Sequence, residues 1–245
     1  MKRTAAMIGR NCREILRDPL SLIFGFLLPL ALLVLMSAIS RNLPEAIFPI
    51  DRFAPGMAVF SQTFLMLFGG LLLAGDRSSA FLARCFASPL SVRGYLMAYT
   101  IPLIPIGLGQ GAVCFLAALF FDLPISLHLL WAELALIPAI LLFVAFGLLF
   151  GVLCSDKQVG GMASIIIQVA SLLGGIWFDL DLVGGVFGKI ARCLPFYHAV
   201  RTVECGLAGD FAAALPCAVI VLGYAVGLFA LAMVVFSRKR SRGHL

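Results

Sequence analysis

The sequence predicts an all-α membrane protein. It has six transmembrane helices, an N-terminal amphipathic interfacial helix, a cytoplasmic helix between two spans, and an outer re-entrant segment before the last span. Three observations lead there. Of the 245 residues, 62% are hydrophobic and 12% charged, against roughly 45–50% and 25% in soluble domains. The charged residues leave six apolar intervals of 21 to 28 residues between them, which suits helices crossing a hydrocarbon core of ~30 Å. The basic residues also concentrate on alternate connections. A water-soluble monomer of this composition has too few polar groups to cover its surface, and a disordered chain needs the opposite composition. The alternating polarity of a membrane barrel is absent. Backbone groups in lipid need partners within their own segment, so each interval is read as a helix.

Residues 1–18 form the interfacial helix. Ile8, Cys12, Ile15 and Leu16 recur at i, i+4, i+7 and i+8, while Arg3, Arg10, Arg13 and Arg17 fall mostly on another face. Pro19 ends the pattern, and a basic amphipathic helix before a span belongs in the headgroup layer. The spans are placed at 19–40, 53–75, 94–121, 130–155, 158–178 and 211–237 within a single transmembrane domain covering 1–245. Ala38-Ile39-Ser40 resembles a signal cleavage site, but the apolar run before it is too long for a signal core and follows Glu14 and Asp18. The first span is therefore read as retained.

Residues 76–93 form the cytoplasmic link between the second and third spans. Phe81, Leu82, Cys85 and Phe86 make one apolar stripe on a short helix, which Ser78 or Ser79 is suited to cap and Pro89 ends. Such a stripe packs on lipid, on the bundle or on a soluble partner, and periodicity alone does not choose. Pro102, Pro105, Gly107, Gly109 and Gly111 predict a kinked or broken third span. Gly69-Gly70, Gly160-Gly161 and Gly174-Gly175 predict close approach of helices. Glu133 stands beside Trp131 near the outer end of the fourth span and is read chiefly as reaching the headgroups, with a buried functional carboxylate as the alternative. Residues 179–210, with Val183, Val186, Phe187 and Ile190 interrupted by charge and glycine, are too apolar for a solvated loop and too broken to span.

Six spans bring both termini to one side. With that side inside, thirteen basic residues are cytoplasmic and five (Arg41, Arg52, Lys189, Arg192 and Arg201) are outside, as the positive-inside bias requires. Counting acids as well leaves +9 inside and −3 outside, so the net +6 reflects topology. No nucleic-acid footprint is present. Seven cysteines and three histidines show no metal-ligand spacing, and a Cys193–Cys205 disulfide is the one pairing the predicted topology permits. Phosphate-binding loops, nucleophile elbows and paired intramembrane carboxylates are missing from the sequence, so no enzymatic role and no cofactor is expected in this chain. Ion-coupled carriers place ionisable groups near the midplane; here the spans hold essentially none, so any energy for transport comes from elsewhere.

Three segments resemble the membrane subunit of ABC-2 type transporters. Phe53-Ala54-Pro55-Gly56-Met57 is similar to the family's "PG" start of the second span. Asp76-Arg77, Arg84 and Ser88-Pro89-Leu90-Ser91 resemble its charged link, although Ala80-Phe81-Leu82-Ala83 departs from the family's usual Gly-Thr-Leu-Glu. Gly174-Gly175-Ile176-Trp177-Phe178, then Leu194-Pro195-Phe196-Tyr197 and Arg201, resemble its glycine/aromatic segment before the last span. The resemblance implies a bacterial inner-membrane exporter permease with both termini cytoplasmic. Its partners would be a separate cytoplasmic ATPase that binds ATP and magnesium, and a second permease copy or paralogue. Asp76, Arg77, Phe81, Leu82, Arg84, Cys85, Phe86 and Pro89 would form a coupling helix on the ATPase. A pathway bordered by the second and fifth spans would bring in Gln62, Gly69, Gly70, Gln168, Gly174 and Gly175, although bundle hydrogen bonds are an equal role for the two glutamines. The alternative, equally compatible with the lack of midplane charge, is a non-transporting membrane scaffold or assembly protein.

Overall fold

The computed structural model describes residues 2–42, 48–79, 91–178 and 180–241, and every regular element among them is helical. In chain order these are α1 (Lys2–Leu16), α2 (Pro19–Arg41), α3 (Ile50–Ser78), α4 (Val92–Leu119), α5 (His128–Leu134), α6 (Ile137–Leu153), α7 (Asp156–Leu173), α8 (Leu180–Val183), α9 (Gly185–Cys193), α10 (Pro195–Ala208) and α11 (Phe211–Ser241). Local chemistry sets several boundaries. Asp18 caps α2 by accepting from the Ser21 backbone N–H at 3.2 Å, just ahead of Pro19 at the first helical position. Ser91 caps α4 through the Gly94 N–H at 3.2 Å. At α7, Gln158 Oε1 accepts from the Ser155 backbone N–H at 3.0 Å. Helix α10 starts at Pro195 and ends at Gly209, whose φ of +77° is one that a side chain would strain.

Among the described residues, five stretches are long and apolar enough to cross a membrane: Ser21–Arg41, Ile50–Ser78, Val92–Leu119, His128–Leu153 (α5 with α6) and Phe211–Lys239. Helix α7, the fifth expected span, lies outside that set: Asp156, Lys157, Gln158 and Gln168 lower its apolarity. Helix α4 runs unbroken through Pro102 and Pro105, so the expected break is absent. Neighbouring helices cover that region, with Pro102 and Leu103 both buried.

Helix α3 is the hub. It packs on α6, α4, α7 and α2, while α11 closes over α6 and α10. The α3–α6 contact is a backbone approach. A Cβ at Gly147 would run into the Met66 carbonyl oxygen, and one at Gly151 would stand 2.9 Å from the Gly70 carbonyl oxygen. Gly147 and Gly151 form a G-x-x-x-G step, the spacing that lets two membrane helices meet closely. Deeper in, Gln62 Nε2 donates to the Gly107 carbonyl at 3.1 Å and Gln110 Nε2 to the Gly25 carbonyl at 3.0 Å, tying α3 to α4 and α4 to α2. The outer helices differ. Phe24, Leu27 and Leu35 on α2, and Leu215, Val219 and Leu231 on α11, are exposed aliphatic or aromatic surface. An apolar surface this extensive is stable only in a membrane.

Helix α1 is amphipathic as expected, but its buried row is Met7, Asn11 and Ile15, with Leu16 exposed. The rotation has a polar cause: Asn11 Nδ2 donates to the Ala98 carbonyl at 2.9 Å, pulling that face onto α4. Glu133 is also placed differently from expectation. Both its carboxyl oxygens are shielded from solvent, against Gly111 of α4, where the missing side chain leaves room. Its neighbour Trp131 instead packs edge-on against Phe211, at 5.3 Å between ring centroids.

Candidate functional site

Asp76 and Arg77 stand in the last turn of α3, so the helix continues three residues into the segment assigned to the link. Asp76 is buried at 4% exposure. Arg10 of α1 grips it with both terminal nitrogens, Nη1 on Oδ2 and Nη2 on Oδ1 at 2.7 Å, and the Tyr99 hydroxyl of α4 donates to Oδ2 at 2.6 Å. A bidentate, charge-assisted pair of this kind is both stronger and more directional than a neutral hydrogen bond. Burial alone would lower the Arg10 pKa; the hydrogen bond and charge of Asp76 reverse that and hold it above the ordinary arginine value.

Arg77 points the other way. Its Nη1 donates to the Val152 carbonyl and its Nη2 to the Cys154 carbonyl at 2.5 Å, at the C-terminal end of α6. Lys239 of α11 adds its Nζ to the Val152 carbonyl at 2.7 Å. The final carbonyls of a helix lack intrahelical partners and carry partial negative charge, so two cations are well placed there. Ser78 Oγ completes the set by donating to Asp156 at the start of α7, at 3.1 Å. Three consecutive residues of α3 thus reach α1, α4, α6 and α7. The contacts of Arg10 and Lys239 also bring α1 and the end of α11 to one face of the bundle. Of the remaining link residues, Phe81, Leu82, Arg84, Cys85, Phe86 and Pro89 lie outside the described residues.

On the opposite face a cavity of about 570 Å³ opens between the start of α3, the end of α7 and α10. Gly174 and Gly175 form one wall, and Arg52, Tyr197, Arg201 and Glu204 line others. Glu204 lies 3.6 Å from Arg52 Nε and accepts from Arg201 Nη1 at 3.2 Å. That hydrogen bond raises the Arg201 pKa against the opposing effect of burial. The other residues expected on a pathway are dispersed. Gln62 is fully buried; Gly69 faces Leu103, and Gly70 lies within the α3–α6–α7 contact. Gln168 is exposed on α7, in a row with Gly161, Ile165 and Leu172.

The family description "ABC-2 type transporter" matches residues 2–205. The chain belongs to the ABC-2 type transporter family. A protein of Bacillus subtilis (strain 168), named provisionally as the transport permease YvfS, is 24% identical over 196 residues, covering 76% of this chain and 78% of its own length. As a member of that family, this chain is a multi-pass membrane protein.

Sequence reasoning missed several residues that organise this ABC-2 chain. Arg10 and Tyr99 left no local signal, because only the fold brings them to Asp76. Gly147-Leu-Leu-Phe-Gly151 was visible as a G-x-x-x-G step. Arg52 was read only as a topological charge, although its place two residues into α3 sets it on the cavity wall.

Proposed function

We propose that this ABC-2 chain is the transmembrane permease subunit of an ATP-driven exporter. It works with a separate cytoplasmic ATPase and a second permease copy or paralogue in the bacterial inner membrane. ATP hydrolysis belongs to the partner, and this subunit supplies the moving bundle. The observation that carries the reading is the joint at Asp76, Arg77 and Ser78. The link leaves α3 directly after residues bonded to α1, α4, α6 and α7. A displacement of the link is therefore delivered to four helices at once. Such a joint has an evident use where a partner pushes on the link, and little in a passive scaffold.

The same reading takes α7 as the sixth span. Its Asp156 end meets Ser78, and its far end runs into Gly174 and Gly175 beside Arg52 on the opposite face. With 18 residues it is about 27 Å long. Together with the other five it gives an even number of crossings, in keeping with Arg10 and Lys239 meeting at one face. That face is cytoplasmic by its basic residues, and α1 rests there as the interfacial helix. The exposed row of α7, with Gly161, Ser164 and Gln168, is more polar than the lipid-facing rows of α2 and α11. It suits a pathway shared with a second copy, to which Gly174 and Gly175 lead.

Purification in mild detergent is expected to retain a soluble ATPase, and transport in vesicles to stop when ATP is depleted. Arg84→Glu tests the link without touching the joint. The exporter reading expects normal insertion with transport lost. A scaffold expects no such loss, and an ATPase-free chain whose transport survives ATP depletion contradicts the proposal.

A further inference from the structure

The cavity opposite the termini has the dimensions and chemistry of a ligand site. Its volume of about 570 Å³ falls within the roughly 300–1,000 Å³ of typical small-molecule pockets. Four separate stretches of chain build it: the first turn of α3, the loop before α5, the end of α7, and α10. It has two kinds of wall. Leu123, Val200 and Leu207 offer apolar surface, while Arg52 and Arg201 stand with Glu204 between them.

The exposure of these groups sets the preferred charge. The Arg52 and Arg201 side chains are 41% and 49% exposed, whereas Glu204 is 14% exposed and sits behind them. The charged groups that meet an arriving ligand are therefore two guanidiniums against one exposed carboxylate, Asp51 on the rim, a positive balance that favours an anion. Arginine presents five N–H donors in a planar fork. Among the described residues Arg201 places one of its terminal nitrogens on Glu204, so most of its fork is available to a second oxyanion.

We propose that this cavity binds an amphiphile with one anionic head, a phosphate or carboxylate, seated on Arg201 and Arg52 with its apolar portion against Leu123, Val200 and Leu207. The proposal deepens the export reading, on which its meaning as an exit station beside Gly174 and Gly175 rests, by naming the substrate class. A resident membrane lipid offers the same chemistry. In either case Glu204 competes with the ligand for the two arginines. Removing its charge strengthens binding, whereas a purely structural bridge would only lose stability.

The test is a binding titration of the full chain in phosphatidylcholine nanodiscs, with no ATPase present. The probes are dihexanoyl phosphatidic acid, inorganic phosphate and dihexanoylglycerol. Saturable binding of the phosphatidic acid is expected, with inorganic phosphate competing only at higher concentration and dihexanoylglycerol not binding. Arg201→Gln should weaken binding about tenfold or more, the scale of one hydrogen bond to a charged group. Arg201→Lys, which keeps the charge but not the fork, should fall between, and Glu204→Gln should tighten binding. Equal binding of dihexanoylglycerol, no change in Arg201→Gln, or weakened binding in a folded Glu204→Gln variant would overturn the site. Transport distinguishes the sources. A substrate is moved by the ATPase-loaded complex in an ATP-dependent manner, whereas a resident lipid stays bound. Because the titration needs no ATPase, a negative result removes the site and leaves the export reading standing. Loss of ATPase co-purification removes the export reading and leaves the site.

Discussion

Helix α3 carries an Asp-Arg pair near each end, and the two pairs have opposite fates. Asp76 and Arg77 are bonded into the bundle, the aspartate by Arg10 and Tyr99 and the arginine by the carbonyls that end α6. Asp51 and Arg52 stand on the rim and wall of a cavity, with Asp51 exposed and Arg52 3.6 Å from Glu204. The same dipeptide therefore makes a rigid joint at one end and an accessible charged surface at the other. The deciding factor is what the fold stacks over it. Helix α1 folds back across Asp76, while Asp51 stays exposed.

The comparison breaks most clearly on the aspartates. Asp76→Ala removes the buried carboxylate that both Arg10 and Tyr99 bond and should cost about 3–5 kcal/mol, whereas Asp51→Ala forfeits only a favourable charge at a helix start, about 0.3–1 kcal/mol. Thermal unfolding in detergent should show a loss of roughly 10 °C for the first and about 2–3 °C or less for the second. Tyr99→Phe removes one hydrogen bond to the buried carboxylate and should cost about 1.5–3 kcal/mol in the same assay. Arg77→Gln strips a cation from the end of α6, worth up to about 2 kcal/mol in a partly buried setting. Faster hydrogen exchange near Val152 and Cys154 would locate that loss. The smallest effect is expected for Arg52→Gln, under about 1 kcal/mol, because the arginine side of its 3.6 Å contact with Glu204 is 41% exposed and screened. Near-equal losses at the two ends would show that the joint is no tighter than the cavity.

How much of this was legible in the sequence follows from the physics. Lipid tolerates few charges, so Asp18, Arg41, Arg52, Asp76 and Asp122 fall within about three residues of helix ends. Caps act over only three residues, yet Asp18 was read as a charge boundary and Ser91 as part of the link, and their capping bonds emerge from the fold. The weak point was α7, where glutamines and glycines dilute the apolar signal. The face of α1 was misjudged because periodicity ranks Asn11 and Arg10 as solvent-facing, whereas their partners, Ala98 and Asp76, are 87 and 66 residues away. The inward turn of Glu133 depends likewise on a gap at Gly111, which no local pattern announces. Asp76 and Arg77 were singled out by resemblance, but the helices they join emerge only from the fold.

The central claim is that the link leaving this joint rests on an ATPase. A photo-cross-linker in place of Phe86, with a control at the lipid-facing Leu215, measures this directly in intact membranes. The account predicts that the Phe86 position is trapped on a protein that mass spectrometry identifies as an ATP-binding subunit with a Walker A loop, while Leu215 yields lipid adducts. Adducts at Phe86 with lipid or with this chain alone would contradict it.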